Sequence, residues 1–423
     1  MKTIVLDDDP TGTQSAADVE VLLAFDADLL ARAMERADSV YVQTNSRAID
    51  EASAVELVGR VRRDALEAGE RLGEEVRFVL RGDSTLRGHV FAESEVFLDE
   101  DAVLLFVPAF PAGGRTTVGG IHYVAVAGER VPAADTEYAQ DPVFPFRSSR
   151  LADYVREKSA RAAVPIPLGV VRGAHQDLAD AIVAAPAGTV IVPDAETDDD
   201  VRRIARAVEA ATAAGTRIVV RCAAPLAAAL ARVESRSLLP RPLLPERPAV
   251  LLACGSHTGG ATAQLAALAE QEGSPVVIDT ELALTDPVAA GHRAAAEAAG
   301  PLAHGSLAAV TSERVRRPTH NTLRHGEQVM TALTTAVRDL LPSVDVVIAK
   351  GGITSAEVAR VGLGATSATV LGQVAPGISV WRLVAVDGRE RLYVVVPGNV
   401  GGPDALVDVL DALQPKRREP PLS

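Results

Sequence analysis

Three adjacent carboxylates, Asp7, Asp8 and Asp9, followed by Pro10-Thr11-Gly12-Thr13, close the apolar run Ile4-Val5-Leu6 near the start of the chain. Side by side they repel one another, so a fold carries them most easily where a cation, a hydroxyl-bearing ligand or water offsets the charge. The run at residues 3–6 reads as a buried strand. Residues 7–13 then form the loop at its carboxyl end, where open α/β sheets bind ligands. A helix N-cap among solvated acids would use the same residue types. Such clusters at strand ends are more often functional.

Further polar residues gather at other strand ends. Ser39–Gln43 ends in Thr44-Asn45-Ser46-Arg47, and residues 77–80 run into Arg81-Gly82-Asp83-Ser84-Thr85-Leu86-Arg87-Gly88. Val103–Val107 runs into a Pro- and Gly-rich turn ending in Arg115. In a parallel sheet these loops leave on one edge. Arg47, Arg81, Arg87 and Arg115 facing Asp8, Asp9 and Asp83 suit a small hydroxylated acid. Guanidinium forks bind a carboxylate bidentately, and carboxylates accept hydroxyl protons. Mutual neutralisation in structural ion pairs is the competing reading of any single arginine.

The second half repeats a different layout. Cys254-Gly255-Ser256-His257-Thr258-Gly259-Gly260, Lys350-Gly351-Gly352-Ile353-Thr354-Ser355 and Pro397-Gly398-Asn399-Val400-Gly401-Gly402 each follow an apolar run and precede a helix-like segment. Glycine lets backbone N–H groups approach phosphates, and helix N-termini add partial positive charge. Three such loops favour nucleotide binding over ordinary tight turns. No Walker A lysine motif, GxGxxG fingerprint or HExxH site is present. Of eight scattered histidines only His257 is placed near a ligand. His320 and His325 read as capping or solvating a following helix, and Trp381 as core or rim.

Elements to position these groups follow from the hydrophobic pattern. Helices are expected at 26–37, 51–72 and 404–413. Further strands are expected at 168–171, 190–192, 217–220, 249–253, 276–278, 307–310, 346–349, 369–371, 380–386 and 392–396. Strands alternating with helices imply βαβ units. The fold class is α/β, with two domains, each a mainly parallel or mixed sheet flanked by helices, and the active site in the interdomain cleft. The boundaries are 1–237, a Pro-rich linker at 238–248, whose prolines suit neither helix interior nor central strand, and 249–423, with a basic tail from 414. At 423 residues, two domains are expected. The net charge of −14 argues against a general nucleic-acid or anionic-membrane surface. No apolar stretch reaches membrane-spanning length, and no signal peptide is recognised, so a cytoplasmic protein is expected. Cys222 and Cys254 show no metal or redox spacing. The oligomeric state stays open, with a homodimer as one expectation.

Taken together, the motifs resemble the four-carbon acid sugar kinase family, formerly a domain of unknown function. The family's Asp-Asp-x-Thr-Gly matches Asp8 to Gly12, its Thr-x-Ser-Arg matches Thr44 to Arg47, its Lys-Ile-Asp-Ser-Thr-Leu-Arg-Gly matches Arg81 to Gly88, and its Pro-Ala-x-Pro-x-x-Gly-Arg matches Pro108 to Arg115. Gly-Ser followed by Gln matches Gly255, Ser256 and Gln264. Gly-Gly-x-Thr-Ser matches Gly351 to Ser355, and Gly-Asn-x-Gly matches Gly398 to Gly401. The resemblance implies a substrate-binding amino-terminal domain, a nucleotide-binding carboxyl-terminal domain, and transfer of the ATP γ-phosphate to a hydroxyl of threonate, erythronate or a 2- or 3-oxo-tetronate. It implies a sugar-acid site at Asp8 or Asp9, Arg47, Arg81, Gly82, Asp83 and Ser84, to which the strand-end reading adds Arg87 and Arg115. Ser256, Gly351, Gly352, Ile353, Thr354 and Gly398 would take ATP, with Lys350, Asn399 and Gly401 of the same glycine loops expected beside them. Asp8 or Asp9 would accept the proton, the other binding Mg²⁺ through water, with Asp83 as reserve base. Arg81-Gly82 departs from the family's Lys-Ile. Val396-Pro397 stands where many members carry a lysine, and Lys350 is expected to substitute. The alternatives are an aspartyl-nucleophile phosphatase of haloacid-dehalogenase type, suggested by D-x-D-x-T at Asp7–Thr11, and a non-catalytic sugar-acid-binding protein.

Overall fold

A computed structural model describes residues 1–126, 128–235, 237–303, 307–314, 323–398 and 400–414. His320, Asn399 and the tail beyond residue 414 lie outside these. The chain divides into two compact units, Met1–Ser235 and Arg236–Ser423.

In the first unit the strands are β1 (Lys2–Asp7), β2 (Val19–Leu22), β3 (Ser39–Gln43), β4 (Val76–Arg81), β5 (Val103–Val107), β6 (Arg115–Val118), β7 (Ile121–Val126), β8 (Glu129–Pro132), β9 (Ala163–Ile166), β10 (Val190–Pro193) and β11 (Ile218–Cys222). Eight of them form a parallel sheet in the order β2-β3-β1-β4-β11-β5-β10-β9. β1 and β3 are apolar runs buried along nearly their whole length, as parallel strands covered on both faces are. Register matters more than order here. Asp7 lies opposite Gln43 on one side and Arg81 on the other, and Arg81 lies opposite Cys222. The loops after β1, β3 and β4 therefore leave the same edge at the same height.

Two features depart from the sequence reading. Residues 168–171 are a short helix, not a strand; Pro167 precedes it and the Leu168 N–H donates to the Asp194 carboxylate (3.3 Å). The β-branched pair in Leu-Gly-Val-Val imitates a strand, while the true strand is Ala163–Ile166 just before it. The antiparallel sheet β6-β7-β8 and the strand β2 had no counterpart among the expected elements.

The second unit carries β12 (Val250–Cys254), β13 (Val276–Val277), β14 (Ala308–Thr311), β15 (Val346–Lys350), β16 (Ser367–Ala375), β17 (Ile378–Val384) and β18 (Glu390–Val396) in the order β13-β14-β12-β15-β18-β17-β16. The first five strands are parallel, β17 runs antiparallel to β18, and β16 runs antiparallel to β17, the mixed sheet foreseen from the close spacing of the last three. Cys254 lies opposite Thr311 and Lys350, and Lys350 opposite Val396. All three glycine-bearing loops thus start from one line across the sheet. The Pro-rich segment 238–248 falls inside this unit: Leu239 N–H donates to the Gln373 carbonyl (2.7 Å), and Leu243 and Leu244 to Ala412 (2.9 Å) and Leu413 (3.1 Å). Among the described residues no helix is long and apolar enough to cross a membrane.

Trp381 is fully buried, its ring 5.7 Å from that of Tyr393. It is the sole tryptophan of the chain. Trp381→Ala is expected to cost the second unit about 3–5 kcal/mol in urea unfolding. In the parent chain, the tryptophan emission shift follows the unfolding of that unit.

Candidate active site

Arg81, at the end of β4, is the hub of the first unit's acidic loop. Its Nη1 reaches Asp7 Oδ1 (3.0 Å), Asp8 Oδ1 (3.2 Å) and Asp9 Oδ1 (2.8 Å), and its Nη2 donates to Thr11 Oγ1 (3.0 Å). The three aspartates and Arg81 are all buried. Losing one partner of such a buried cluster costs about 3–5 kcal/mol, because the remaining charges stay uncompensated. Asp7 is pinned further by its carbonyl, which accepts from the Thr44 N–H and hydroxyl (2.9 Å each) and from Gln43 (3.1 Å). Burial pushes its carboxyl up to about 7 against the pull of Arg81. An enclosed, partly protonated carboxyl does not suit a nucleophile, which removes the D-x-D-x-T reading's central residue.

Two further guanidiniums close over the same loop. Arg47 pairs with Asp8 Oδ2 (3.6 Å), Asp9 and Asp83 (3.5 Å). Arg221, on β11, bridges Asp8 Oδ2 (3.3 Å) and Glu93. A Cβ at Gly82 would lie 2.6 Å from Arg221 Nε, so a larger residue there makes the Arg221 guanidinium shift. Asp83 binds Arg87 Nε (2.8 Å) and the Thr85 hydroxyl. Although burial alone would raise it, Arg87 and Arg47 hold the Asp83 carboxyl well below the usual range. A carboxylate held ionised in this way is suited to accept a hydrogen bond from a hydroxyl.

The loop from Gly82 to Gly88 is supported from below. His122, on β7, is buried, and burial pushes its pKa down to about 4. The neutral ring donates from Nε2 to the Ser84 carbonyl (2.8 Å) and accepts at Nδ1 from Thr117 Oγ1 (3.0 Å). Leu86 takes a left-handed φ of 69°, unusual for leucine, and its carbonyl accepts from the Tyr154 hydroxyl (2.7 Å). Tyr154 stands in turn on Phe91, Phe106 and Phe146, with ring centroids 5.8–6.0 Å away. Arg115 is buried, with its Nη1 on the Gly113 carbonyl, and Arg87 lies 5.1 Å over the Tyr138 ring.

In the second unit, Ser256, Gly351, Thr354 and Gly398 converge. A Cβ at Gly351 would sit 3.1 Å from Ser256 Cβ, and one at Gly398 2.9 Å from Ser256 Oγ. Thr258 Oγ1 donates to the Gly398 carbonyl (2.7 Å), and Gln264 Nε2 to Val400 (3.0 Å) and Gly401 (3.1 Å). Thr258 also caps the helix Gly259–Glu272. Ile353 is exposed beside Gly352, and the His257 ring lies 3.5 Å from the Ser312 hydroxyl. Lys350 has no exposed surface; its Nζ donates to the Pro397 carbonyl (2.6 Å), below the loops, and burial pushes its pKa down to about 8.

The first unit therefore joins Asp8, Asp9, Asp83, Arg47, Arg81 and Arg87 in one network, and the second joins Ser256, Gly351, Thr354 and Gly398. Arg221, Glu93, His122 and Arg314 went unnoticed in the sequence, for they lie inside strands, a helix or a loop without a motif. Carboxylate oxygens of Asp7, Asp8 and Asp9 lie within 4.8 Å of one another, a spacing that could hold a cation. Arg47, Arg81 and Arg221 already neutralise them, so this cluster does not fit the Mg²⁺ expected there.

Residues 3–230 match the family model described as a sugar-binding N-terminal domain, and residues 251–406 that described as a nucleotide-binding C-terminal domain. A D-erythronate kinase of Heliobacterium modesticaldum is 33% identical over 238 residues, 55% of this chain and 51% of that protein. A D-threonate kinase of Bordetella bronchiseptica is 34% identical over 264 residues, 60% of this chain and 56% of that protein. The chain thus spans about half the length of the relatives it matches. Among solved structures, a Haemophilus influenzae protein from a domain-of-unknown-function family covers 97% of this chain and 100% of its own at 19% identity, with a TM-score of 0.62. One from Salmonella typhimurium LT2 covers 96% and 98% at 17% identity, with a TM-score of 0.69. At these identities the likeness concerns the fold.

Two outcomes follow. Gly82→Ala is expected to displace Arg221 and lower the melting temperature by several degrees, about 1–3 kcal/mol; Gly82→Ala combined with Arg221→Ala shows a non-additive effect in a double-mutant cycle. For Lys350, the folded pKa near 8 lies below the ordinary 10.5, so the unfolded chain binds more protons between those values and stability rises with pH across that window. Lys350→Met is expected to melt higher than the parent at pH 7, the gap closing from about pH 8 towards 10.5.

Proposed function

The chain belongs to the four-carbon acid sugar kinase family, and on that premise we propose that it transfers the γ-phosphoryl group of ATP to a hydroxyl of a four-carbon sugar acid of the threonate, erythronate or oxo-tetronate type. The observation that carries this reading is the convergence of three loops at one sheet edge, where the nearly buried Arg47 and Asp83 and the partly exposed Arg87 rim a buried Asp8–Asp9–Arg81 floor. Arg47 and Arg87 are suited to the acid's carboxylate as planar forks. Ionised Asp83 suits a neighbouring hydroxyl as acceptor.

The acceptor oxygen attacks the γ-phosphorus, the bond from that phosphorus to the β,γ-bridging oxygen breaks, and the hydroxyl proton passes to a carboxylate, here Asp8 or Asp9. Most of the catalysis in such transfers is positioning and charge stabilisation. Arg81 serves this by holding both carboxylates in fixed orientation. In the second unit, Ser256, Gly351 to Thr354 and Gly398 offer hydroxyls and close backbone approach to the phosphates. Asn399 belongs to the same proposed set. Lys350 contributes by clamping the Pro397 carbonyl under the Gly398 turn.

A coupled ADP-release assay over a panel of four-carbon sugar acids tests the reading. Acid-dependent ADP release from one or a few members is expected; tight acid binding with no ADP release would identify a sensor instead. Asp8→Asn and Asp9→Asn, compared in that assay, separate the base from its neighbour. The base variant is expected to lose about 10²-fold or more in kcat while still binding the acid. Lys350→Ala is expected to raise the KM for ATP, and an unchanged KM rejects its part.

A further inference from the structure

The loop after β14 brings Arg314 to the glycine-loop cluster, from a stretch no motif singled out. Its Nη2 donates to the Ser256 carbonyl and to Thr262 Oγ1 (3.2 Å); its Nη1 approaches Thr311 Oγ1 (3.3 Å) and Cys254 Sγ (3.9 Å). The guanidinium thereby lies across the turn that links β12 to the helix Gly259–Glu272. The same serine turns its hydroxyl towards Gly398.

The partners of this guanidinium set it apart from Arg47, Arg81, Arg87 and Arg221 of the first unit's site, each of which meets a carboxylate. Here every acceptor is neutral: a carbonyl, two hydroxyls and a thiol that burial keeps protonated. Residues 254–262, 350–355 and 396–402 contain no Asp or Glu at all. The nearby Lys350 has no exposed surface and is committed to the Pro397 carbonyl. Arg314 is only half-buried. Among the described residues it therefore brings a positive charge with no carboxylate partner to the level of the loops, where Lys350 brings one beneath them.

We infer that Arg314 is the phosphate-neutralising cation of the nucleotide site, the part that the sequence assigned to Lys350. This rests on the reading of the second unit as the ATP site. A polyphosphate laid over the Ser256 and Gly398 turns would meet the guanidinium from the side opposite the Gly351 turn. Its added charge, compared with a monophosphate, is what Arg314 would sense.

Isothermal titration of ATP and AMP against the parent chain, Arg314→Lys and Arg314→Gln tests the inference. Glutamine keeps a donor for the Ser256 carbonyl but removes the charge. Arg314→Gln is expected to lose about tenfold or more in ATP affinity with AMP affinity within about twofold, and Arg314→Lys to recover part of the loss. Unchanged ATP affinity in Arg314→Gln, or equal losses for ATP and AMP, would overturn the inference and leave Arg314 as a clamp on the turn. A parent chain that binds neither nucleotide overturns the ATP reading itself, a result the variants cannot mimic. A thermal melt of Arg314→Lys close to the parent's confirms that the comparison is made on folded protein.

Discussion

Burying like charges side by side is the constraint around which the first unit is arranged. Asp7, Asp8 and Asp9 leave solvent together, and the fold answers with guanidiniums delivered from three other elements: Arg81 from β4, Arg47 from the loop after β3 and Arg221 from β11. None of these can be supplied locally. Only a parallel sheet in this register sets the ends of β1, β3, β4 and β11 at one height, so the charge balance and the topology specify each other. Charges exchanged in so dry a setting stay where they are put, and that fixity holds the side chains of this loop in one orientation.

The second unit solves the opposite problem. Its loops hold almost no charge and are positioned by hydroxyls and one amide: Thr258 on the Gly398 carbonyl, Gln264 on Val400 and Gly401, Tyr393 on the Ser355 carbonyl (2.6 Å). Neutral clamps hold these turns together without adding charge to them. The two units thus divide the work by chemistry, one rich in fixed ion pairs and one in close-packed backbone.

How much of this could be read from the amino-acid sequence depends on whether a residue advertises itself locally. Asp8, Arg47, Asp83 and Ser256 stand in loops just after apolar runs, so strand recognition alone points to them. Arg221 sits inside a strand, Glu93 inside a short helix and His122 inside a hairpin strand, where charged or polar residues usually signal a solvated face. Their importance comes from register, which no local pattern contains. The helix at Leu168–Val171 shows the converse failure: a β-branched pair imitates a strand, and the backbone bond to Asp194 that decides the matter comes from a distant segment. Lys350 is an intermediate case, correctly placed at a strand end yet turned under the loop rather than towards it.

The absence of a side chain at position 82 has an evolutionary corollary. The guanidinium of Arg221 fills the space that any larger residue would claim, so the two positions, far apart in the chain, behave as a single heritable character. Enlarging residue 82 moves the Arg221 guanidinium, and with it the counter-charge of Asp8 and Glu93. A change at one of these two positions is therefore felt at the other, and through it at the acidic loop.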